Sequence, residues 1–344
     1  MPTPIADSRP IRWGILGAGG IADTVSNDIN LTEGNVITAV AARDADRAAR
    51  FAARRGATRS YGDYTSLVND DQVDVVYVST THPHHRAHAL MAIEAGKAVL
   101  IEKPVCLNAA DAREVFAAAT QAGVFAMEAM WTRTNPLVRK AQQLIADGAI
   151  GEVRGVRNEF GLGLPFDPNH RLYELANGGG ALLDLGVYPV TFAYLFMGPP
   201  DEVRTVGTLS PTGSDETVAM QWMYGHHPGA QLWTSAPIHA PNEAAILGSK
   251  GWISFLPEAY RPTGLVLHTD AGEEHTDDPL AGHGNGYGPE IEEVERCLRA
   301  GLLQSPLIPH ADTIAILEIL DDARGAVGVV YPGERRSSQA TRLA

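Results

Sequence analysis

Four stretches of this chain hold residue types whose spacing could do chemistry. The first is Gly17-Ala18-Gly19-Gly20-Ile21-Ala22, a G-x-G-x-x-A loop. Gly17 permits a tight turn, Gly19 lets backbone approach a pyrophosphate, and Ala22 allows a helix to pack closely on a strand. The N–H groups of Gly20 and Ile21, at the start of that helix, would meet the phosphates. Taken alone, such a loop fits an ordinary strand-to-helix turn equally well. The second stretch is Ala41-Ala42-Arg43-Asp44, where a dinucleotide-binding fold selects its cofactor. A guanidinium at Arg43 suits a 2′-phosphate, which favours NADP, while Asp44 leaves NAD open.

The third group joins two strand ends. Ser79-Thr80-Thr81-His82-Pro83-His84-His85, with His88 beyond it, follows one apolar run, and Ile101-Glu102-Lys103-Pro104 closes another. His84 and His88 could share a helix face, but no carboxylate cluster accompanies them, so no metal site is expected. Ligands in an open α/β sheet bind at the C-terminal ends of its strands. That places Ser79, Thr80, His82, His85, Glu102 and Lys103 on the cofactor side. Lys103 before a proline is held extended, or through a cis bond; by itself it also fits a solvated charge. The fourth stretch is Gly178-Gly179-Gly180-Ala181-Leu182-Leu183-Asp184-Leu185-Gly186-Val187-Tyr188. Asp184 and Tyr188 share a helix face. A carboxylate and a phenol one turn apart suit proton handling and hydroxyl binding, and equally a capped helix with a packed tyrosine. The three glycines allow backbone to approach a ligand or the other domain.

Positioning these residues requires a particular order of elements. Up to about residue 130, short apolar runs alternate with helical stretches, which predicts a parallel sheet covered on both faces. Asp44 and Asn108 read as helix N-caps, and Gly56, Gly96 and Gly123 as stops. Beyond that point strands succeed one another from Val153 to Phe255, predicting a mostly antiparallel sheet. A helix over 180–196 interrupts them, and two more follow at 289–301 and 310–325. The segments 161–172 and 268–288 read as loops. The expected division is a flexible start at 1–10, a dinucleotide-binding domain at 11–130, an α+β substrate and dimerisation domain at 131–333, and a polar tail at 334–344.

Composition narrows the function classes. With 344 residues, 44% hydrophobic and 20% charged, the chain fits a folded protein of about two domains. Its net charge of −14 argues against a nucleic-acid binder. Two cysteines, Cys106 and Cys297, make no disulfide framework or zinc site. The apolar stretches read as short of a membrane span. With no signal-like start, the expected location is the cytoplasm.

The glycine loop, the Glu102-Lys103-Pro104 turn and the Gly178–Asp184 stretch together resemble the Gfo/Idh/MocA oxidoreductases, over about residues 11–333. Ala41–Asp44, Met127–Arg133 and Leu183–Tyr188 are most similar to its dihydrodiol and D-xylose dehydrogenase branch. The resemblance implies a Rossmann domain followed by an open sheet whose outer face often forms a dimer. It implies catalytic roles for Lys103 and Asp184 and cofactor-side roles for His82 and His85. Trp131, Arg133 and Phe160 become candidates for the substrate pocket, together with Asp184 and Tyr188. Many members carry a histidine where this chain has Tyr188, which argues against inositol-type substrates.

The expected activity is hydride transfer between NADP and a sugar, cyclic polyol or trans-diol hydroxyl, or the matching ketone or lactone. Tyr188 is the acid/base, and Lys103 lowers the proton affinity of its phenol. Rival readings are an NAD-dependent glycosidase of the same family, a ketosugar reductase, and a non-catalytic NADP-binding sensor. The expected partners are the small molecule and a second copy of the chain.

Overall fold

A glycine-ended strand followed at once by a helix opens the described chain. A computed structural model describes residues 9–332 and Ile5. The expected flexible start lies largely, and the expected tail from 334 wholly, outside the described residues. The chain divides into two units, residues 1–134 with 282–314, and residues 135–281 with 315–344.

In the first unit, β1 (Ile11–Leu16), α1 (Gly20–Leu31), β2 (Asn35–Ala41), α2 (Ala45–Arg55), β3 (Arg59–Tyr61), α3 (Tyr64–Val68), β4 (Val75–Val78), α4 (His85–Glu94), β5 (Ala98–Glu102), α5 (Ala109–Ala122) and β6 (Ala126–Ala129) follow in order. The six strands form one parallel sheet in the order β3-β2-β1-β4-β5-β6. The capping chemistry explains the helix limits. Asp44 accepts from Arg47 N–H, Asn108 accepts from Asp111 N–H, and Gly56 and Gly123 end their helices in the left-handed region. The short β3 and α3 lack a periodic pattern and were not expected. Of the apolar run Val124–Met127, only Ala126 and Met127 lie in β6.

The second unit begins with α6 (Pro136–Ala146) and β7 (Val153–Gly161). A π-helical turn, Leu182–Gly186, runs into α7 (Val187–Met197). The strands β8 (Glu202–Leu209), β9 (Asp215–Tyr224), β10 (His227–Ser235), β11 (Ala244–Gly248), β12 (Gly251–Phe255), β13 (Gly264–Thr269) and β14 (Gly272–Asp277) then follow. They join β7 in an eight-stranded sheet, β14-β13-β12-β11-β7-β10-β9-β8, antiparallel except for the β7–β10 pair. The β13–β14 hairpin corrects the expected loop over 268–288. Its outer strand is almost wholly exposed, so it lacks the hydrophobic alternation by which strands are recognised.

The helices α8 (Gly288–Arg299) and α9 (His310–Val327) complete the described chain. The expected single block at 131–333 does not hold, because residues 282–314 return to the first unit. Specific bonds draw them back. Both oxygens of Asp28 accept from Asn285 N–H, Asp28 Oδ2 also takes Tyr287 N–H, and Leu303 accepts from Ala126 N–H beside β6. The membrane expectation also needs correction. Leu175–Met197 has the length and mean hydropathy, 1.4 over its best window, to span a bilayer, but 78% of that window is buried. It forms part of the core of the second unit.

Candidate functional site

At the head of the first sheet, Gly17 has φ +109°, and a methyl group there would sit 3.0 Å from the Ser79 carbonyl oxygen. Only glycine fits this turn without strain. Gly19 and Gly20 differ, since a methyl on either meets nothing within 4 Å. No side chain caps α1, and Ile21 is exposed on its first turn. Open space and uncapped N–H groups at this helix start fit the phosphates of a dinucleotide. Arg47 Nε and Nη2 donate to the Ala18 carbonyl at 3.0 and 2.7 Å, bracing the loop from α2. Sequence reasoning missed Arg47, because nothing local distinguishes it from Arg43 or Arg50. Asp44 is engaged as the α2 cap, which holds its carboxyl below the usual range. Arg43 is exposed and has no hydrogen-bond or ion-pair partner among the described residues.

Several of the residues expected on the cofactor side bond to the loops around them. Ser79 Oγ lies 3.1 Å from Leu16 O and 3.2 Å from Gly17 O, so its hydroxyl fastens the loop. Thr80 Oγ1 pairs with His88 Nδ1 at 3.0 Å. Burial, with neighbouring positive groups, pushes His88 down to about 4. His85 is fully buried, its ring nitrogens each 2.9 Å from a backbone carbonyl, those of Pro104 and Thr80. Burial lowers its proton affinity. His85 and Ser79 thus shape the strand-end loops from behind, while half-buried His82 stands at the turn that leads into α4. The physical reason is depth, since a polar group buried beneath a loop must bond to that loop.

Glu102 is buried too. It accepts the Tyr77 hydroxyl and, at 3.2 Å, the Lys103 N–H. The Lys103–Pro104 bond is cis, one of the two forms expected. Glu128 accepts from Val105 N–H at 3.1 Å and from the Thr313 hydroxyl at 3.0 Å, so it ties the far side of the Lys-Pro turn. Glu290, in the first turn of α8, is wholly buried with neither carboxyl oxygen hydrogen-bonded. Burial, with Glu102 and Glu128 nearby, raises its proton affinity strongly. Trp131 stacks on Tyr287 with ring centroids 4.2 Å apart, and Arg133 Nη2 pairs with Asp312 at 2.6 Å. Tyr287 and Glu290 gave no signal in the sequence, and Glu128 lay within the Met127–Arg133 stretch without a role assigned to it. Among the described residues no group of three or more His, Cys, Asp or Glu is arranged to hold a metal.

In the second unit the three-glycine turn serves its own neighbours. A methyl on Gly179 would come 2.8 Å from the carbonyls of Arg171 and Glu174, and Gly180, at φ +142°, packs against the Asp215 carboxylate. Asp215 Oδ2 accepts from Leu182 N–H at 2.6 Å and so caps the turn that carries Asp184. Burial pushes Asp215 up to about 6. Gly179 and Gly180 thus make close contacts within their own unit. Asp184 is buried and bonded to Arg171 Nη2 at 2.9 Å. Tyr188 follows one turn later on α7. Its ring lies 5.8 Å from Phe160 and 5.7 Å from Tyr260, while Phe160 and Tyr260 stack at 4.4 Å. Tyr260 lies on the connection after β12, a position sequence reasoning left unassigned.

The structure therefore gathers the expected residues in two sets. Gly17, Gly19, Gly20, Ile21, Arg43, Ser79, Thr80, His82, His85, Glu102, Lys103, Trp131 and Arg133 belong to the first unit, and Phe160, Asp184 and Tyr188 to the second.

Residues 11–130 match the oxidoreductase family model GFO_IDH_MocA, described as an NAD-binding Rossmann fold, and residues 138–254 match the GFO/IDH/MocA C-terminal domain. The chain is 38% identical over 337 residues to trans-1,2-dihydrobenzene-1,2-diol dehydrogenase of Mus musculus, covering 95% of this chain and 99% of the relative. It belongs to the GFO/IDH/MocA oxidoreductase family. The Homo sapiens protein of the same name is 36% identical over 339 residues, covering 95% and 99%. Among solved structures, KijD10, a 3-ketoreductase from Actinomadura kijaniata in complex with NADP and TDP-benzene, superposes with TM-score 0.81. It is 26% identical, over 93% of this chain and 98% of that one. As a GFO/IDH/MocA member the chain is an oxidoreductase with an NAD(P)-binding Rossmann domain, to which the glycine loop belongs. The family expectation drawn from the three motifs holds, and with it the two-sheet fold.

Proposed function

We propose that this chain is an NADP-dependent dehydrogenase of trans-diols and related sugar hydroxyls. The observation that carries the reading is the likeness, along nearly the full length of both chains, to trans-1,2-dihydrobenzene-1,2-diol dehydrogenases. Arg43 supports NADP over NAD, because an unpartnered guanidinium at the end of β2 suits a 2′-phosphate. It agrees with the NADP held by KijD10. The α1 N–H groups bind the pyrophosphate, and Ser79, His85 and Arg47 keep the surrounding loops in place. When bound, NADP supplies the acceptor for the hydrogen lost from the alcohol carbon.

Tyr188 takes the hydroxyl proton in oxidation and returns it in reduction. A phenol titrates near pH 10, so turnover at neutral pH needs a positive charge that favours the phenolate, the role proposed for the Lys103 ammonium. Asp184 accepts a hydrogen bond from a neighbouring hydroxyl of the substrate. Phe160 and Tyr260, stacked in the second unit, offer a flat apolar surface suited to a six-membered ring, and Trp131 in the first unit is a further candidate for the substrate side. A second reading, reduction of a ketosugar by the same residues working in reverse, is favoured by the likeness to KijD10.

We further infer a cytoplasmic homodimer. Val206 on β8 and Trp252 on β12 are exposed apolar residues of the second sheet, which suits a face covered by a second copy. The deciding experiment follows absorbance of the reduced nicotinamide, with NADP and NAD in parallel, against trans-diols, aldoses, inositols and glycosides. Reduction of NADP by trans-diols or aldoses is expected. Nucleotide binding without turnover of any compound in either direction overturns the proposal.

A further inference from the structure

Asp184 is nearly inaccessible, with 4% of its side chain exposed, yet its ion-pair partner Arg171 is 52% exposed. Arg171 therefore closes over the carboxylate from the solvent side, its Nη2 2.9 Å from Asp184 Oδ2. The backbone around Arg171 is braced. Leu172 N–H donates to His170 Nδ1 at 3.2 Å, the Tyr173 hydroxyl donates to Leu164 O at 2.7 Å, and the Thr212 hydroxyl donates to Tyr173 O. Gly179 packs directly on the Arg171 carbonyl, where any larger residue would push the segment away. The turn that ends in Asp184 and the segment that bears Arg171 thus fix each other. A buried carboxylate without a cation takes up a proton, whereas a guanidinium at hydrogen-bond distance keeps it ionised and oriented.

We propose that Arg171 is a positioning residue for Asp184, holding its carboxylate ionised and fixed through Oδ2 so that it can receive the substrate hydroxyl. The inference rests on the reading that Asp184 serves the substrate. Other titratable groups lie on the elements packed against the turn. Tyr188 on α7 and Asp215 on β9 are buried, Glu159 and Glu216 are half-buried, and Arg157 and His227 are exposed. Arg154 and Arg157 on β7 are exposed, and buried Arg324 on α9 acts on Asp215, while Arg171 is the cation held at hydrogen-bond distance from Asp184.

The test compares wild type, Arg171→Gln and Arg171→Lys by kcat/KM between pH 5.5 and 8.5 and by the Kd for NADP. In Arg171→Gln, kcat/KM at pH 5.5 should fall at least about tenfold more than at pH 8.5, because Asp184 is then protonated at higher pH. The Kd for NADP should stay within about twofold, and Arg171→Lys should recover most of the acid-side loss. Parallel pH profiles, or a lysine variant no better than the glutamine one, overturn the proposal. A second readout needs no turnover. In protein labelled with 13C at the aspartate carboxyls, the signal absent from Asp184→Asn should titrate at higher pH in Arg171→Gln than in wild type. Unchanged titration there overturns the role of Arg171 even if diols are oxidised. If no compound is oxidised, that signal still decides on Arg171 while the proposed function fails.

Discussion

Asp215 sits fully buried at the head of the turn that carries Asp184, accepting Leu182 N–H at 2.6 Å. Its carboxyl is pushed up to about 6 from an ordinary 3.8, mainly by burial. Between those values the unfolded chain has released this proton while the folded chain still holds it. Stability therefore declines as pH rises through that window, by about 1.4 kcal/mol per pH unit, or about 3 kcal/mol in all. Below pH 4 and above pH 6 the contribution is flat. His85, His88 and His310 act in the opposite sense, because burial lowers their proton affinity in the fold and stability from them rises with pH. Wild type alone would mix these effects. Asp215→Asn separates them, since the amide oxygen can still accept from Leu182 N–H and cannot ionise. Urea unfolding followed by circular dichroism at pH 4, 5, 6 and 7 measures both proteins. The variant should gain on wild type by about 3 kcal/mol between pH 4 and pH 7. A difference that stays constant across those pH values would refute the assignment of a protonated acid at this position.

The remaining predictions concern the cofactor loop, the acid/base and assembly. Gly17→Ala forces alanine into φ +109° against the Ser79 carbonyl, so it should destabilise the fold by about 1–3 kcal/mol and weaken NADP binding; wild-type affinity in a calorimetric titration would falsify the strained-turn reading. Tyr188→Phe should lower kcat by about 10²–10⁴ while the Kd for NADP stays put. Full turnover in that variant removes Tyr188 as the acid/base. Arg43→Ala should raise the KM for NADP at least about tenfold and leave that for NAD nearly unchanged, and equal effects on both cofactors would argue that the guanidinium does not meet the 2′-phosphate. Val206→Glu together with Trp252→Glu should convert a dimer to a monomer in light scattering, whereas an unchanged mass would place any interface elsewhere.

Much of the first unit is legible because its signals are local. Asp44 and Asn108 announce helix starts by the N–H groups they satisfy, and Gly56 and Gly123 announce helix ends by a backbone angle that other residues avoid. The glycine loop reads correctly for the same reason, since strand, turn and helix lie within about twenty residues. What escaped depends on distant parts of the chain. Ser79 and His85 sit at the right end of the sheet, but whether they face ligand or loop is decided by Leu16, Gly17 and Pro104. In the second glycine run, Gly180 accommodates the side chain of Asp215, thirty-five residues further on, which no local pattern announces. Arg47, Glu290 and Tyr287 have no periodic or motif signature, and the β14 strand has no buried face to betray it.

The return of residues 282–314 to the first unit sets an order on synthesis. Asp28 finds its partners Asn285 and Tyr287 only after 257 and 259 further residues have been made. At roughly 5–20 residues per second on the ribosome, that is a wait of about 13–50 s. During it the β6 strand, whose Ala126 N–H belongs to Leu303, presents an uncovered edge. The second unit is translated in the meantime as far as residue 281, and its remaining part, from 315 onward, follows only after the first unit's last segment has been made. The nucleotide-binding half is therefore begun first but closed only after most of the second unit has been made, and until then its β6 edge is an unpaired strand edge open to misassociation.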